Sequence, residues 1–321
     1  MINFNNCKQV VGWFGGNSGR KLQVEYDGSL WILKFPGSMK NMKRKDMSYT
    51  TSVFSEYLGS HIFEILNIPV HDTVLGFIDE KLVVGCRNFN DAENNIYLVE
   101  YRELRNTYQP ELNKLVEETL TPSDKLLHGT NLKEVIYNLQ LNPVLADIPN
   151  STEYFWNMVV VDTLIKNNDR NSGNWGILTD RKNIYEMAPV YDNGGSFSSK
   201  LSDYQMETIL NDPVRFKQSN FNVDSGYFYD GSPLQFKDLL HIDDDNLKKA
   251  VLYMKPIIED KMDEIESFIA SIPNEQDGYK ITSDIQKQFY IDGMKERFSQ
   301  MIVPAYEEIV EQHKTLHPSI S

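Results

Sequence analysis

The 321 residues are enough to bury a sizeable core, in one large domain or two lobes. Their 46 acidic against 32 basic residues leave a net charge of −14, which argues against direct nucleic-acid binding and disfavours an anionic membrane surface as partner. Two distant cysteines, Cys7 and Cys86, suggest neither a disulfide scaffold nor a zinc site. No run approaches a membrane span, and Met1 to Gln9 lacks a signal-peptide pattern, so a reducing, cytoplasmic setting is expected.

Gly15-Gly16-Asn17-Ser18-Gly19 is a glycine-rich loop, and residues 20–35 after it form the clearest hairpin. Leu22, Val24 and Tyr26 alternate with polar residues, Asp27-Gly28 supplies a two-residue turn, and Ser29 to Phe35 runs back. Counting out from the turn pairs Val24 with Trp31 and Leu22 with Leu33, which puts Lys34 opposite Lys21 and beside the glycine loop. Glycines let backbone N–H groups approach phosphates, and a lysine neutralises their charge. The loop is neither Gly-x-Gly-x-x-Gly nor a Walker A loop, since Arg20 breaks the Gly-Lys-Ser/Thr ending. Lys34 interrupts an apolar run, so it either has a partner or ligand or snorkels to water.

Thr50 to Leu66 reads as a helix with Phe54, Leu58, Ile62 and Leu66 on one face. Its Glu56 is either a partner for Lys34 or a solvent-facing glutamate, and Glu64 is a lesser candidate. Thr73 to Ile78 and Lys81 to Cys86 read as another strand pair around Asp79-Glu80. Gly85, Cys86, Arg87 and Asn88 then lead toward Phe89 as a connector offering backbone groups to adenine, with Cys86 a small, partly buried filler. Residues 1–88 would form the small lobe and 89–321 the larger one.

Beyond residue 90 the pattern turns helical. Tyr97 to Leu104, Pro110 to Leu120, Asn131 to Leu139 and Thr152 to Lys166 are predicted helices, the last delivering the chain into Asn168-Asp169-Arg170-Asn171-Ser172-Gly173-Asn174. Trp175 to Leu178 and Ile184 to Ala188 form a hairpin that returns to Tyr191-Asp192-Asn193-Gly194, so Asn174 and Asp192 fall at one end. This is either a pair of ordinary polar turns or a phosphotransfer site. In the second case Asp169 orients a hydroxyl while Asn174 and Asp192 hold Mg²⁺ on ATP phosphates. Pro213 to Pro233 reads as a long surface loop, and Asp245 to Ser271 and Ser283 to Lys314 as helices, the first capped within Asp243-Asp244-Asp245. The six histidines are scattered, with His313 and His317 sharing a spacing but lacking a third ligand.

Taken in order, Leu30–Pro36, Ser55–Leu58, Val84–Phe89, Leu164–Asn174 and Val190–Asn193 resemble the HipA-like family of bacterial serine/threonine kinases, especially its short, stand-alone cell-translocating members. The resemblance implies an α+β, bilobal protein-kinase-like fold, with a small β-rich lobe over a larger helical one. It implies Asp169 as catalytic aspartate, Asn174 and Asp192 as Mg²⁺ ligands, Lys34 on the ATP phosphates and Tyr191 beside the nucleotide. It further implies a protein acceptor with serine or threonine, and autophosphorylation at Ser18 or among Ser196, Ser198, Ser199 and Ser202. A phosphoinositide or small-molecule kinase and a nucleotide-binding pseudokinase are the alternatives. Two departures stand out. Asn171 occupies a position where relatives often carry histidine, and the chain starts almost at the glycine loop, so no DNA-binding antitoxin partner is expected. Export without an N-terminal signal is compatible with the same reading.

Overall fold

Apolar–polar alternation and a left-handed turn build the first sheet. In the computed structural model, residues 1–11, 20–40, 46–90, 94–105, 110–119, 130–180, 182 and 185–316 are described. The predicted phosphate loop, Gly15 to Gly19, and His317 lie outside them. β1 (Ile2–Asn3) and β2 (Lys8–Val10) precede β3 (Lys21–Tyr26) and β4 (Ser29–Lys34). Asp27 and Gly28 have φ of 49° and 70°, as a two-residue turn between twisted strands requires. The register is the one counted from that turn, with Val24 opposite Trp31, Leu22 opposite Leu33 and Lys21 opposite Lys34.

After α1 (Ser52–Ile65), β5 (Thr73–Ile78) and β6 (Lys81–Arg87) complete a six-stranded sheet of order β1-β5-β6-β4-β3-β2. One face buries Phe4, Val24, Leu33, Ile78 and Val83. On the other, Val53 of α1 packs with Val84 and Cys86. Phe54, Leu58 and Ile62 of α1 instead join the core of the helical region, so this helix links sheet and helices.

Predicted helix 97–104 is half strand. β7 (Tyr97–Glu100) precedes a single turn, α2 (Tyr101–Leu104). α3 (Pro110–Thr119), β8 (Thr130–Asn131) and α4 (Leu132–Leu141) lead to α5 (Ser151–Ile165), which is buried on nearly every side. β9 (Gly176–Thr179) and β10 (Tyr185–Met187) form the expected hairpin, and β7 pairs with the free edge of β9. That edge is the tertiary partner which makes Tyr97-Leu98-Val99 extended.

The expected long loop at 213–233 is also structured. α6 (Asp203–Leu210) is followed by α7 (Pro213–Phe221), β11 (Asp224–Tyr229) and β12 (Ser232–Gln235). Asp212 caps α7 ahead of proline at its first position, a start signal the sequence carried. After α8 (Phe236–Leu239), α9 (Asp245–Ser271) is capped by Asp244 as expected. A small hairpin, β13 (Glu275–Gln276) and β14 (Tyr279–Lys280), stacks Tyr279 on Phe77 of the first sheet at 4.7 Å. The expected helix 283–314 is α10 (Asp284–Arg297) and α11 (Val303–Leu316), joined by a π turn at Phe298–Ile302. The architecture is mixed α/β: a curled N-terminal sheet above a larger helical region packed around α5 and α9.

Candidate active site

Lys34 ends β4 with its ammonium between two carboxylates. Nζ donates to Glu56 Oε2 and to Asp192 Oδ1, each at 2.9 Å. Glu56 is 1% exposed, so the solvent-facing alternative is excluded, while Glu64 pairs with His61 instead. Burial opposes both charges, but mutual attraction more than offsets it. Lys34 is held well above its ordinary pKa, and Glu56, also hydrogen-bonded by His71, well below the usual carboxylate range. His71 approaches Glu56 Oε1 at 3.1 Å and Ser60 Oγ at 3.2 Å. The scattered-histidine pattern concealed that contact.

The loop after α5 is organised by a buried arginine. Arg170 Nε and Nη2 donate to the two Asp162 oxygens at 2.8 and 3.0 Å. Nη2 also reaches Asn193 Oδ1 at 2.7 Å, and Nη1 donates to Asn174 O at 2.8 Å and to Tyr191 O. One guanidinium therefore ties α5 to the backbone of both segments carrying the predicted metal ligands. Burial works against its charge, and Asp162 outweighs that cost, so its pKa is raised.

Around this anchor the predicted residues converge. Asn174 Nδ2 donates to Asp169 O at 2.6 Å, and Asn171 Nδ2 to Asp169 Oδ1 at 3.0 Å. Desolvation in the cleft wall raises the Asp169 pKa against the Asn171 hydrogen bond, with nearby Asp192 adding to the rise. Asp192 sits at φ 59°, a conformation that aspartate and asparagine tolerate better than most side chains. Gly195 permits the close approach of the two loops, because a Cβ there would lie 2.8 Å from Asp169 Cβ.

Two cavities flank the Lys34–Asp192 pair. A cleft of about 850 Å³ is lined by Lys34, Asp169, Asp192, Lys166, Ser198 and Lys200 among others. A second, of about 370 Å³, is lined by Cys86, Arg87, Asn88, Phe89, Asn174 and Tyr191. Gly85 joins neither. Strand alternation turns it to the opposite face, where a Cβ would meet Phe4 and Val74 at 3.2 Å. Within the connector, Arg87 N–H donates to Asp72 O and Asn88 N–H to Leu30 O. Phe89 N–H, at the end of the connector expected to offer backbone groups to adenine, has no protein acceptor among the described residues. Phe89 meets Tyr191 edge-to-face at 5.6 Å, and the Tyr191 hydroxyl donates to Gly173 O at 3.2 Å.

No known protein-family model matches the sequence. Over 324 aligned residues, covering 98% of this chain and 92% of its counterpart, it is 30% identical to the serine/threonine-protein kinase CtkA of Helicobacter pylori strain J99. It superposes on the crystal structure of a H. pylori proinflammatory kinase CtkA with a TM-score of 0.81 at 29% identity, covering 97% of this chain and 98% of that one. HipA of Shewanella oneidensis MR-1, in complex with HipB and operator DNA, superposes with a TM-score of 0.48 at 12% identity, covering 92% and 68%. The chain belongs to the family of the serine/threonine-protein kinase CtkA and is a phosphotransferase.

Proposed function

We propose that the protein transfers the γ-phosphoryl group of ATP, with Mg²⁺, to serine or threonine hydroxyls of protein acceptors. The observation that carries this reading is that Lys34, Asp169 and Asp192 line one cleft, while Lys34, Asp192 and Asn174 line the smaller cavity beside it. The smaller cavity would take the adenine, against Phe89 and Tyr191. Lys34, held protonated by Glu56, would contact the phosphates.

The residues fit a hard cation. Asn174 Nδ2 donates to Asp169 O, which leaves its amide oxygen as an acceptor, and Asp192 keeps one oxygen unused by Lys34. No protein donor reaches either atom among the described residues. Asn174 and Asp192 would hold Mg²⁺, which supplies charge to offset that developing on the phosphoryl group. Asp169, oriented through Asn171, would align the acceptor hydroxyl and receive its proton late in the transfer.

Autophosphorylation belongs to the same proposal, and burial narrows its site. Ser198 and Ser199 both line the cleft, but Ser196, Ser199 and Ser202 are buried whereas Ser198 is half-buried. Labelled γ-phosphate is expected on serine or threonine, and on Ser18 or Ser198 rather than Ser196. The test is transfer from γ-labelled ATP with Mg²⁺ by purified protein, with sites mapped by mass spectrometry. Absence of label on protein acceptors and on the chain itself would overturn the reading.

Two further outcomes are expected. Glu56→Gln removes the buried counter-charge from Lys34, and hydrogen bonds to charged groups contribute about 1.5–3 kcal/mol, so KM for ATP rises about tenfold or more. Initial-rate kinetics check this. The pH profile of kcat/KM has its acid limb above the ordinary carboxylate range, because the Asp169 pKa is raised and its carboxylate is the working form. In Asn171→Ala the N–H that favours the carboxylate is lost, so the limb moves to still higher pH. An unmoved limb would show that Asp169 is not the titrating group.

A further inference from the structure

Lys166 is the residue that caps the C-terminus of α5, and three features set it apart. Its backbone is left-handed, with φ 58° and ψ 47°, where glycine is the usual cap and a lysine is penalised. Phe197 and Ser198, which fold over this cap, are left-handed too, at 58° and 61°. Such conformations persist where surrounding structure over-determines them, and they gather at functional sites.

The second feature is an uncompensated charge. Lys166 Nζ donates to Ser198 Oγ at 2.8 Å and to Ser219 O at 2.7 Å, both neutral oxygens, and not to the carbonyls ending α5. An ammonium has three donors, and among the described residues the third has no protein acceptor. Neighbouring Arg297, 3% exposed, donates to Leu164 O and Asn220 Oδ1, also neutral. Neither cation has a carboxylate partner among the described residues. Burial, and then repulsion from Arg297, lowers the Lys166 pKa to about 7. A cation so placed is stabilised by an incoming anion.

The third is position. Lys166 lines the larger cleft together with Asp169 and exposed Lys200, and is not part of the smaller cavity beyond the Lys34–Asp192 pair. It therefore lies on the acceptor side of Asp169.

We infer that Lys166 is a specificity residue that receives an anionic side chain flanking the acceptor hydroxyl, so that the kinase selects acidic or phosphorylated acceptor segments. The inference deepens the kinase reading of this cleft and rests on it. The anion would be a carboxylate or a phosphate group, since both accept charge-assisted hydrogen bonds from an ammonium. The net charge of −14 does not oppose this at contact range, because exposed charges beyond about 8 Å are largely screened at physiological salt.

The test uses the full chain and three fluorescent peptides of one sequence, whose single acceptor serine is flanked by glutamate, glutamine or phosphoserine. Binding is measured by anisotropy, without turnover. The wild type is expected to bind the glutamate or phosphoserine peptide about tenfold tighter than the glutamine peptide. Lys166→Gly, which suits the left-handed backbone, is expected to bring that ratio below about twofold, while Lys166→Arg preserves it. Which anionic peptide gains distinguishes carboxylate from phosphate. Equal binding of all three by the wild type, or a ratio unchanged in Lys166→Gly, would overturn the inference. A purely structural role for Lys166 would weaken all three peptides alike and leave the ratio intact, which also overturns it. Failure of the kinase reading shows separately, as absence of label transfer.

Discussion

Asp192→Asn and Asp169→Asn each lower kcat for phosphoryl transfer by about 10³-fold or more, while the protein stays folded. The Asp192 substitution keeps side-chain shape and suits the left-handed backbone, since asparagine adopts φ near 59° as readily as aspartate. Lys34 retains Glu56 at 2.9 Å, so no buried charge is stranded. What disappears is an anionic oxygen beside Asn174, at the position where the phosphates and their cation would be held. Asp169→Asn instead removes the carboxylate to which Asn171 Nδ2 donates. Steady-state transfer assays beside thermal melts check both. A variant with near-normal turnover would refute the assigned role of that residue, and a collapsed melt would show that the aspartate is structural.

Arg170→Met has its largest effect on stability. The guanidinium is 1% exposed and makes a two-point ion pair with Asp162, besides holding Asn174 O, Tyr191 O and Asn193. Removing it strands a buried carboxylate and orphans two carbonyls. Breaking a buried pair from one side costs about 3–5 kcal/mol, which lowers Tm by about 4–7 °C for a chain of this length. The pH dependence has a definite sign. Without Arg170, burial raises the Asp162 pKa, so the deficit is full at neutral pH and shrinks as pH falls through that raised value. Asp162→Asn in the Arg170→Met background likewise recovers part of the loss, because no charge remains to be desolvated. Calorimetry at two pH values measures both effects. An unchanged Tm in Arg170→Met would mean that the two loops are held by other contacts, such as the Tyr191 hydroxyl on Gly173 O.

Much of this site was legible because it is written in local terms. The register placing Lys34 at the end of β4 follows from a two-residue turn and a period of two, which depend on near neighbours alone. The hairpin bringing Asn174 and Asp192 to one end follows from the turn between β9 and β10. Asp244 capping α9 is equally local. Tyr97 to Glu100 is strand because the edge of β9, some eighty residues away in sequence, is there to pair with it, and no neighbour signals that. Glu56 could be read as solvent-facing or as partner to Lys34. Its burial, and the approach of His71 to its second oxygen, depend on how α1 lies between sheet and helices. Arg170 sat inside the sequence motif as an unassigned letter, and its worth comes from Asp162 one helical element earlier and Asn193 beyond the hairpin. Gly85 and Cys86 are adjacent in sequence yet face opposite sides of the sheet, so only one of them lines the cavity. Sequence alone therefore determined the β3–β4 and β9–β10 hairpins and the candidacy of Lys34, Asp169, Asn174 and Asp192. Long-range packing decided which charges are buried, which are compensated, and where Lys166 is left with a hydrogen bond to give.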